Sequence, residues 1–184
     1  MASWVWIVIA VAAAAVVLFA LWTFVRRRRT GQLRERFGPE YDRTLESADS
    51  KRKAESELAE RQERREQLDI RPLTPAARDR YLDRWRETQT SFVDDPGASV
   101  GDADRLVQEV MRERGYPTDD FEQRAADISV DHPHIVENYR AAHGIAVAHE
   151  RGEASTEDLR QSLVHYRTLF EELLETRAPS RVEA

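Results

Sequence analysis

An uncharged apolar stretch from Trp4 to Val25 constrains the fold of this chain more than any other feature of its sequence. Its 22 residues would span about 33 Å as a helix, enough for a hydrocarbon core of roughly 30 Å. Inside a bilayer a lone segment satisfies its backbone polar groups only as a helix. We therefore predict an N-terminal transmembrane helix, with these candidate membrane-interface residues at its ends: Trp4, Trp6, Trp22, Arg26, Arg27, Arg28 and Arg29.

The four arginines also predict the orientation of this segment. Cytoplasmic flanks are enriched in Arg and Lys, and the opposite flank, residues 1–3, has no basic side chain. We expect a single-pass protein of the cytoplasmic (inner) membrane, with its N-terminus outside and the chain from Thr30 onward in the cytoplasm. A cleaved signal peptide is the alternative, but such peptides carry their positive charge before the apolar run. Ala10 and Ala14 have a small-xxx-small spacing that is compatible with a homo-oligomer.

Charge is distributed unevenly along the rest of the chain. Residues 30–71 contain 11 acidic and 10 basic residues, whereas residues 72–184 contain 23 acidic and 14 basic ones. A region with a net charge of −9 repels phosphate backbones, which argues against nucleic acid as a partner. The chain has no cysteine, so it has no disulfide framework.

Residues 30–71 are predicted to form a charged juxtamembrane spacer. Gly38 interrupts the chain and Pro39 suits the first turn of a new helix, which we expect to run from Glu40 to about Leu68. Its few apolar residues do not hold a heptad repeat, which favours a solvated spacer helix. A loose coiled coil or a partner-binding helix remains the alternative.

Residues 72–175 carry the signatures of a small antiparallel helical bundle of five helices. Thr74 before Pro75 is typical of a helix start, Gly115 of a helix end, and Ser155 with Asp158 of a capping box. The five helices are expected to begin near Thr74, between Pro96 and Asp102, and near Asp119, Pro133 and Ser155. No segment alternates with a period of two, so the fold class is all-α. Residues 176–184 show no pattern and are expected to be disordered.

The sequence predicts neither catalysis nor a cofactor or metal site. It has no cysteine nucleophile, no G-x-S-x-G motif and no glycine-rich phosphate loop. Zinc needs three or four converging ligands, and the spacing of the histidines does not provide them. We expect His132 and His134 to lie at a helix start and His143 to be packed in the core. His149 and His165 are expected to be solvated.

Four segments resemble stretches of a bacterial, especially actinobacterial, family of single-pass membrane proteins of unknown function. They are LDIRPL (68–73), FVDDP (92–96), RGYP (114–117) and DHPHIVENYRAAH (131–143). The resemblance extends from about residue 32 to residue 175, and it implies a membrane-anchored architecture without implying an activity.

Together these patterns predict a membrane-tethered cytoplasmic protein that is not an enzyme and acts as a protein-interaction or scaffold module. Its expected partners are the lipid bilayer and another protein. The alternative is a sensor with a small-ligand pocket inside the bundle, lined by Trp85, Tyr139 and His143. An apolar cavity at these residues would favour the sensor, and a filled core would favour the interaction module.

Overall fold

The computed structural model describes residues 3–117 and 120–175, with the side chains of 3–15, 22 and 25–27 left out. This part of the chain is all-helical, which confirms the predicted fold class. The helices are α1 (Ser3–Phe37), α2 (Pro39–Ser47), α3 (Lys51–Glu66), α4 (Pro75–Ser91), α5 (Pro96–Arg114), α6 (Phe121–Asp131), α7 (Val136–Glu150) and α8 (Thr156–Glu175).

The chain forms two compact units, Met1–Ala59 and Glu60–Ala184, and the boundary between them falls within α3. The domain boundaries expected at residues 29 and 71 stay predictions. The predicted disordered segment 176–184 lies outside the described residues.

In the first unit, α1 continues beyond the apolar stretch to Phe37, where Gly38 adopts a φ of 47°. A residue with a side chain rarely adopts this conformation, so glycine permits the abrupt end of α1. Pro39 then occupies the first turn of α2, as predicted.

The single helix expected from Glu40 to Leu68 is instead two helices. Ala48 is extended, with φ −93° and ψ 146°, and the backbone N–H of Lys53 donates to the Ser50 hydroxyl at 3.3 Å. Serine competes with the helical backbone for hydrogen bonds and is strongly favoured at helix starts. Local capping by Ser50 therefore accounts for a break that the charge pattern does not reveal.

These helices are less solvated than expected for a spacer. Five apolar side chains for which the sequence showed no heptad seam are 4% exposed or less: Leu33, Phe37, Tyr41, Ala54 and Leu58. Leu33 and Phe37 lie four residues apart on α1, and Ala54 and Leu58 lie four residues apart on α3, so each of these two helices buries a narrow apolar stripe.

The second unit begins its helices with the predicted caps. The Thr74 hydroxyl accepts from the backbone N–H of Ala77 at 3.2 Å, and the Ser155 hydroxyl accepts from that of Asp158 at 3.2 Å. Asp158 in turn accepts from the Ser155 N–H at 2.8 Å, which completes the capping box. At the end of α5, Gly115 is left-handed with a φ of 100°.

One predicted helix start differs. The fourth helix of the bundle was expected to begin near Pro133, but α7 begins at Val136. The backbone N–H of His132 still donates to the Ile128 carbonyl at 2.8 Å and closes α6. The next residues form a turn, in which Ile135 N–H donates to the His132 carbonyl, before α7 can start.

The core of the second unit lies around α8, which packs against α7 and α5, while α4 packs on α5. The predicted apolar stripe of α5 is buried throughout, with no member more than 1% exposed: Ala103, Leu106, Val107, Val110 and Met111. Burial at about 25 cal/mol per Å² of apolar surface makes this stripe a main source of the unit's stability.

Candidate functional site

The described part of the apolar stretch is exposed in this structure. Six large side chains of α1 are between 55% and 67% exposed: Val16, Val17, Leu18, Phe19, Leu21 and Phe24. Successive helical residues project about 100° apart, so the four consecutive residues 16–19 cover the whole circumference. Large exposed apolar surfaces occur mainly at membrane or protein contacts.

Within the residues whose side chains the structure describes, no helix is long and apolar enough to cross a membrane. The structure does not describe the side chains of much of the predicted span, including those of Trp4, Trp6 and Trp22. The same is true of Arg26 and Arg27, whereas Arg28 and Arg29 are described and exposed.

A carboxylate on α3 joins the three helices of the first unit. Glu55 Oε1 accepts from the Thr30 hydroxyl of α1 at 2.8 Å and from the Tyr41 hydroxyl of α2 at 3.0 Å. Lys51 lies one turn earlier on α3, with its ammonium 3.6 Å from the same carboxylate. The first turn of α3 is thereby held beside α1, just after the four arginines.

The three residues of the predicted ligand pocket are only partly brought together. Trp85 is 4% exposed and its ring stacks on Phe170, with centroids 4.6 Å apart. Tyr139 and His143 both contact the Phe121 ring, at centroid distances of 4.9 and 3.7 Å. These side chains are thus engaged with neighbouring rings.

Two polar details accompany this aromatic packing. Arg124 Nε donates to the buried Tyr139 hydroxyl at 2.9 Å, and burial raises the pKa of Tyr139 to about 12. The indole N–H of Trp85 has no hydrogen-bond partner within the described residues. Tyr139 therefore stays protonated at neutral pH.

The histidines occupy separate environments. His132 is 3% exposed and its Nδ1–H donates to Glu172 at 3.1 Å, whereas His134 and His149 are exposed. His165 Nδ1 lies 2.8 Å from Asn138 Oδ1, and His143 stacks on Phe121. Across ranges 3–117 and 120–175, no three His, Cys, Asp or Glu side chains gather as a metal site would require.

A buried charge cluster links the end of α3 to α6 and to the end of α5. Asp131 Oδ2 accepts from the Tyr116 hydroxyl at 2.6 Å and also from Arg65 Nε. The side chains of Arg65 and Asp131 are only 10% and 7% exposed. Burial raises the pKa of Tyr116 far above its ordinary value, so this phenol stays protonated and can donate to Asp131.

Arg114, in the same region, has no exposed surface. Its Nη1 donates to the Leu173 carbonyl near the end of α8 at 2.9 Å, and the Arg71 N–H donates to the Arg114 carbonyl at 2.9 Å. A cation is favourable at a helix C-terminus. Arg114 therefore ties α8 and the segment before α4 to the end of α5.

Sequence reasoning missed this cluster because its members are far apart in the chain. Arg65 and Asp131 are 66 positions apart, and both belong to charged stretches whose sequence predicts exposure to solvent. Separation in sequence also explains why the contact between the first turn of α3 and α1 was not predicted, because Thr30 and Glu55 are 25 positions apart.

A mostly polar groove opens between α4 and α5. It has a volume of about 300 Å³ and lies over Arg84, Thr88 and Asp102. None of the three predicted pocket residues lines it.

No protein-family model matches this sequence, and neither a curated protein nor a solved structure matches it.

Proposed function

We propose that this chain is a membrane-tethered protein whose second unit binds another protein. In this proposal α1 is a single-pass anchor of the cytoplasmic membrane, with the N-terminus outside and both helical units in the cytoplasm. The observation that carries the proposal is the apolar surface of α1 at residues 16–21 and 24, where six large side chains are more than half exposed. Leaving such a surface in water costs about 25 cal/mol per Å², whereas a hydrocarbon core accepts it.

The proposed orientation rests on charge. Arg28 and Arg29 are exposed on α1 directly after the apolar residues, and basic flanks are retained on the cytoplasmic side. An anchor of this kind holds the rest of the chain at one surface, which suits a protein that gathers partners there.

The interior of the second unit supports an interaction module over a sensor. Trp85 stacks on Phe170, and Tyr139 packs edge-to-face on Tyr166 with centroids 6.4 Å apart. These rings fill space that a ligand would need. A partner protein would therefore bind to the surface of the second unit. The acidic excess of this unit favours a partner with a basic face.

Topology is tested with single cysteines, because the native chain has none. Ser3→Cys and Ser180→Cys are placed in separate full-length chains, and intact cells are treated with a membrane-impermeant thiol reagent. We expect labelling at position 3 and none at position 180 until the membrane is permeabilised. Labelling at 180 in intact cells would overturn the cytoplasmic placement.

Partner binding is tested by site-specific photocrosslinking in native membranes. Val93 is 85% exposed at the turn between α4 and α5, which makes it a suitable crosslinker position. We expect one discrete heteromeric adduct from Val93. A crosslinker at Leu106, which is 1% exposed, serves as the control and should give none. Only background adducts at Val93 and at further exposed positions of the second unit would contradict the interaction proposal.

A further inference from the structure

The fold brings two basic segments together at the end of the apolar helix. Arg26–Arg29 precede Thr30, and Lys51–Lys53 lie within one helical turn of Glu55. Glu55 accepts the Thr30 hydroxyl at 2.8 Å, so the two segments are neighbours although 21 residues separate Arg29 from Lys51. We name these seven residues the basic collar.

The described members of the collar are solvent-exposed. They are Arg28, Arg29, Lys51, Arg52 and Lys53. Two of these residues form ion pairs with acids. The Lys53 ammonium lies 2.7 Å from Asp49, and the Lys51 ammonium lies 3.6 Å from Glu55. Within the part of the chain that the structure describes, the guanidinium groups of Arg28, Arg29 and Arg52 have no acidic partner. The collar therefore keeps a clear positive excess.

The two units also differ in the sign of their charge. Residues 1–59 contain ten basic and seven acidic residues, whereas residues 60–184 contain 18 basic and 27 acidic ones. The first unit, which contains the collar, thus has a net charge of +3, and the second unit has a net charge of −9.

We propose that the basic collar binds the anionic phospholipid headgroups of the membrane that holds α1. The inference rests on the proposed anchoring role of α1 and extends it to a second segment, Lys51–Lys53. A polybasic surface directly outside a span meets the negative potential of anionic lipids, which decays within a Debye length of about 10 Å at 0.1 M salt. Guanidinium groups suit phosphate particularly well, because they can donate two parallel hydrogen bonds.

This arrangement gives α3 a specific position at the bilayer. Arginines 26–29 alone anchor a helix end, but Lys51–Lys53 begin the helix that leads into the second unit. Headgroup binding at both segments would hold the first turn of α3 against the membrane surface.

The test measures lipid enrichment around the full-length chain in proteoliposomes. A donor dye is attached at Ser47→Cys, an exposed position four residues before Lys51. The acceptor dye sits on the headgroup of a trace of either phosphatidylglycerol or phosphatidylcholine, at equal mole fraction. We expect phosphatidylglycerol to quench the donor severalfold more strongly, and we expect high salt to remove the difference because the Debye length falls to about 3 Å at 1 M.

Three variants assign the effect to the collar. The triple change Lys51→Gln, Arg52→Gln, Lys53→Gln should reduce the preference for phosphatidylglycerol severalfold, whereas Lys51→Arg with Lys53→Arg should keep it. The matched control neutralises three exposed arginines of the second unit and should leave the preference unchanged: Arg78→Gln, Arg86→Gln and Arg151→Gln.

Equal quenching by the two lipids in the native chain would overturn the inference, and so would an unchanged preference in the triple variant. Flotation with the vesicles after carbonate washing is measured in the same samples. Loss of flotation in the native chain would show that the anchor itself fails, whereas flotation without a lipid preference would refute the collar alone.

Discussion

At the scale of single residues, buried polar groups distinguish this protein from a plain apolar bundle. His132 is 3% exposed, and Glu172 accepts its Nδ1–H while its Nε2 has no partner among the described residues. Burial lowers the pKa of His132, and the nearby Arg114 acts in the same direction, against the opposing effects of Glu172 and Asp131. The imidazole is therefore held neutral in a region that already contains charges of both signs.

Stability should fall as the pH drops through the titration of His132. Because burial lowers the folded-state pKa, the unfolded chain takes up the proton first, near its ordinary value of about 6.5. The penalty is absent well above that pH and grows below it. We expect the free energy of unfolding to decline between about pH 7 and pH 5, with a smaller decline in His132→Gln.

The fragment from Thr30 onward, unfolded in urea, provides the measurement for His132. His134→Gln is the matched control, because His134 is exposed and only two residues away. An identical decline in the native fragment and in His132→Gln would assign the pH dependence to other groups.

Truncation of the Trp85 side chain should destabilise the second unit strongly. Its ring is 4% exposed and stacked on Phe170, so Trp85→Ala removes both apolar burial and an aromatic pair. We expect a loss of about 3–5 kcal/mol in urea unfolding of the same fragment. Val93→Ala, at an 85% exposed position, should change stability by less than about 0.5 kcal/mol. A loss below about 1 kcal/mol for Trp85→Ala would show that the ring contributes little to the core.

At the scale of helices, chain ends and breaks are set by a few local residues. Ser50 caps α3, Thr74 caps α4 and Asp120 caps α6, each by accepting a backbone N–H with its side chain. Gly115 ends α5 in a conformation that only glycine adopts easily. These residues start or end individual helices, and the resulting helices are short enough to pack against one another.

Two glycines of the second unit should respond to alanine with opposite signs. At Gly115 the φ of 100° is strained for alanine by roughly 1–2 kcal/mol, and a Cβ would also clash with the Asp69 carbonyl oxygen. At Gly144, inside α7, a Cβ meets nothing within 4 Å. Gly115→Ala should therefore destabilise the fragment, whereas Gly144→Ala should stabilise it by roughly 0.5–1 kcal/mol. Urea midpoints that shift in the same direction would contradict this assignment.

At the scale of the whole molecule, the proposed anchor and the helical core are separable in sequence. The core cluster of the second unit runs from Ile70 to Leu174 and includes no residue of α1. The stability of that core should therefore depend on its own apolar contacts rather than on membrane insertion.

Deletion of residues 1–29 should release the protein from membranes without unfolding the second unit. We expect the truncated chain in the soluble fraction, with a urea unfolding midpoint equal to that of the detergent-solubilised full chain. The matched control, a chain that ends at Glu175, should remain with the membrane. A truncated chain that still sediments with membranes would place the anchoring surface elsewhere.

Much of the second unit could be predicted from its sequence because the relevant physics is local. The stripe of α5, the caps at Thr74 and Ser155 and the left-handed Gly115 all depend on residues within one or two turns. Periodicity and capping chemistry act at that range, so residue type and spacing were enough to place these helices and their buried faces.

Contacts between distant segments were decided only by the tertiary structure. Arg65 with Asp131 and Thr30 with Glu55 join residues 66 and 25 positions apart, and no spacing rule connects them. Charged side chains are solvated by default, so each of these stretches looked exposed until packing excluded water from some of its members. The sequence by itself determined the caps at Thr74 and Ser155, the left-handed Gly115 and the apolar stripe of α5. Only the fold decided which charges became buried partners and which basic turn came to lie beside the apolar helix.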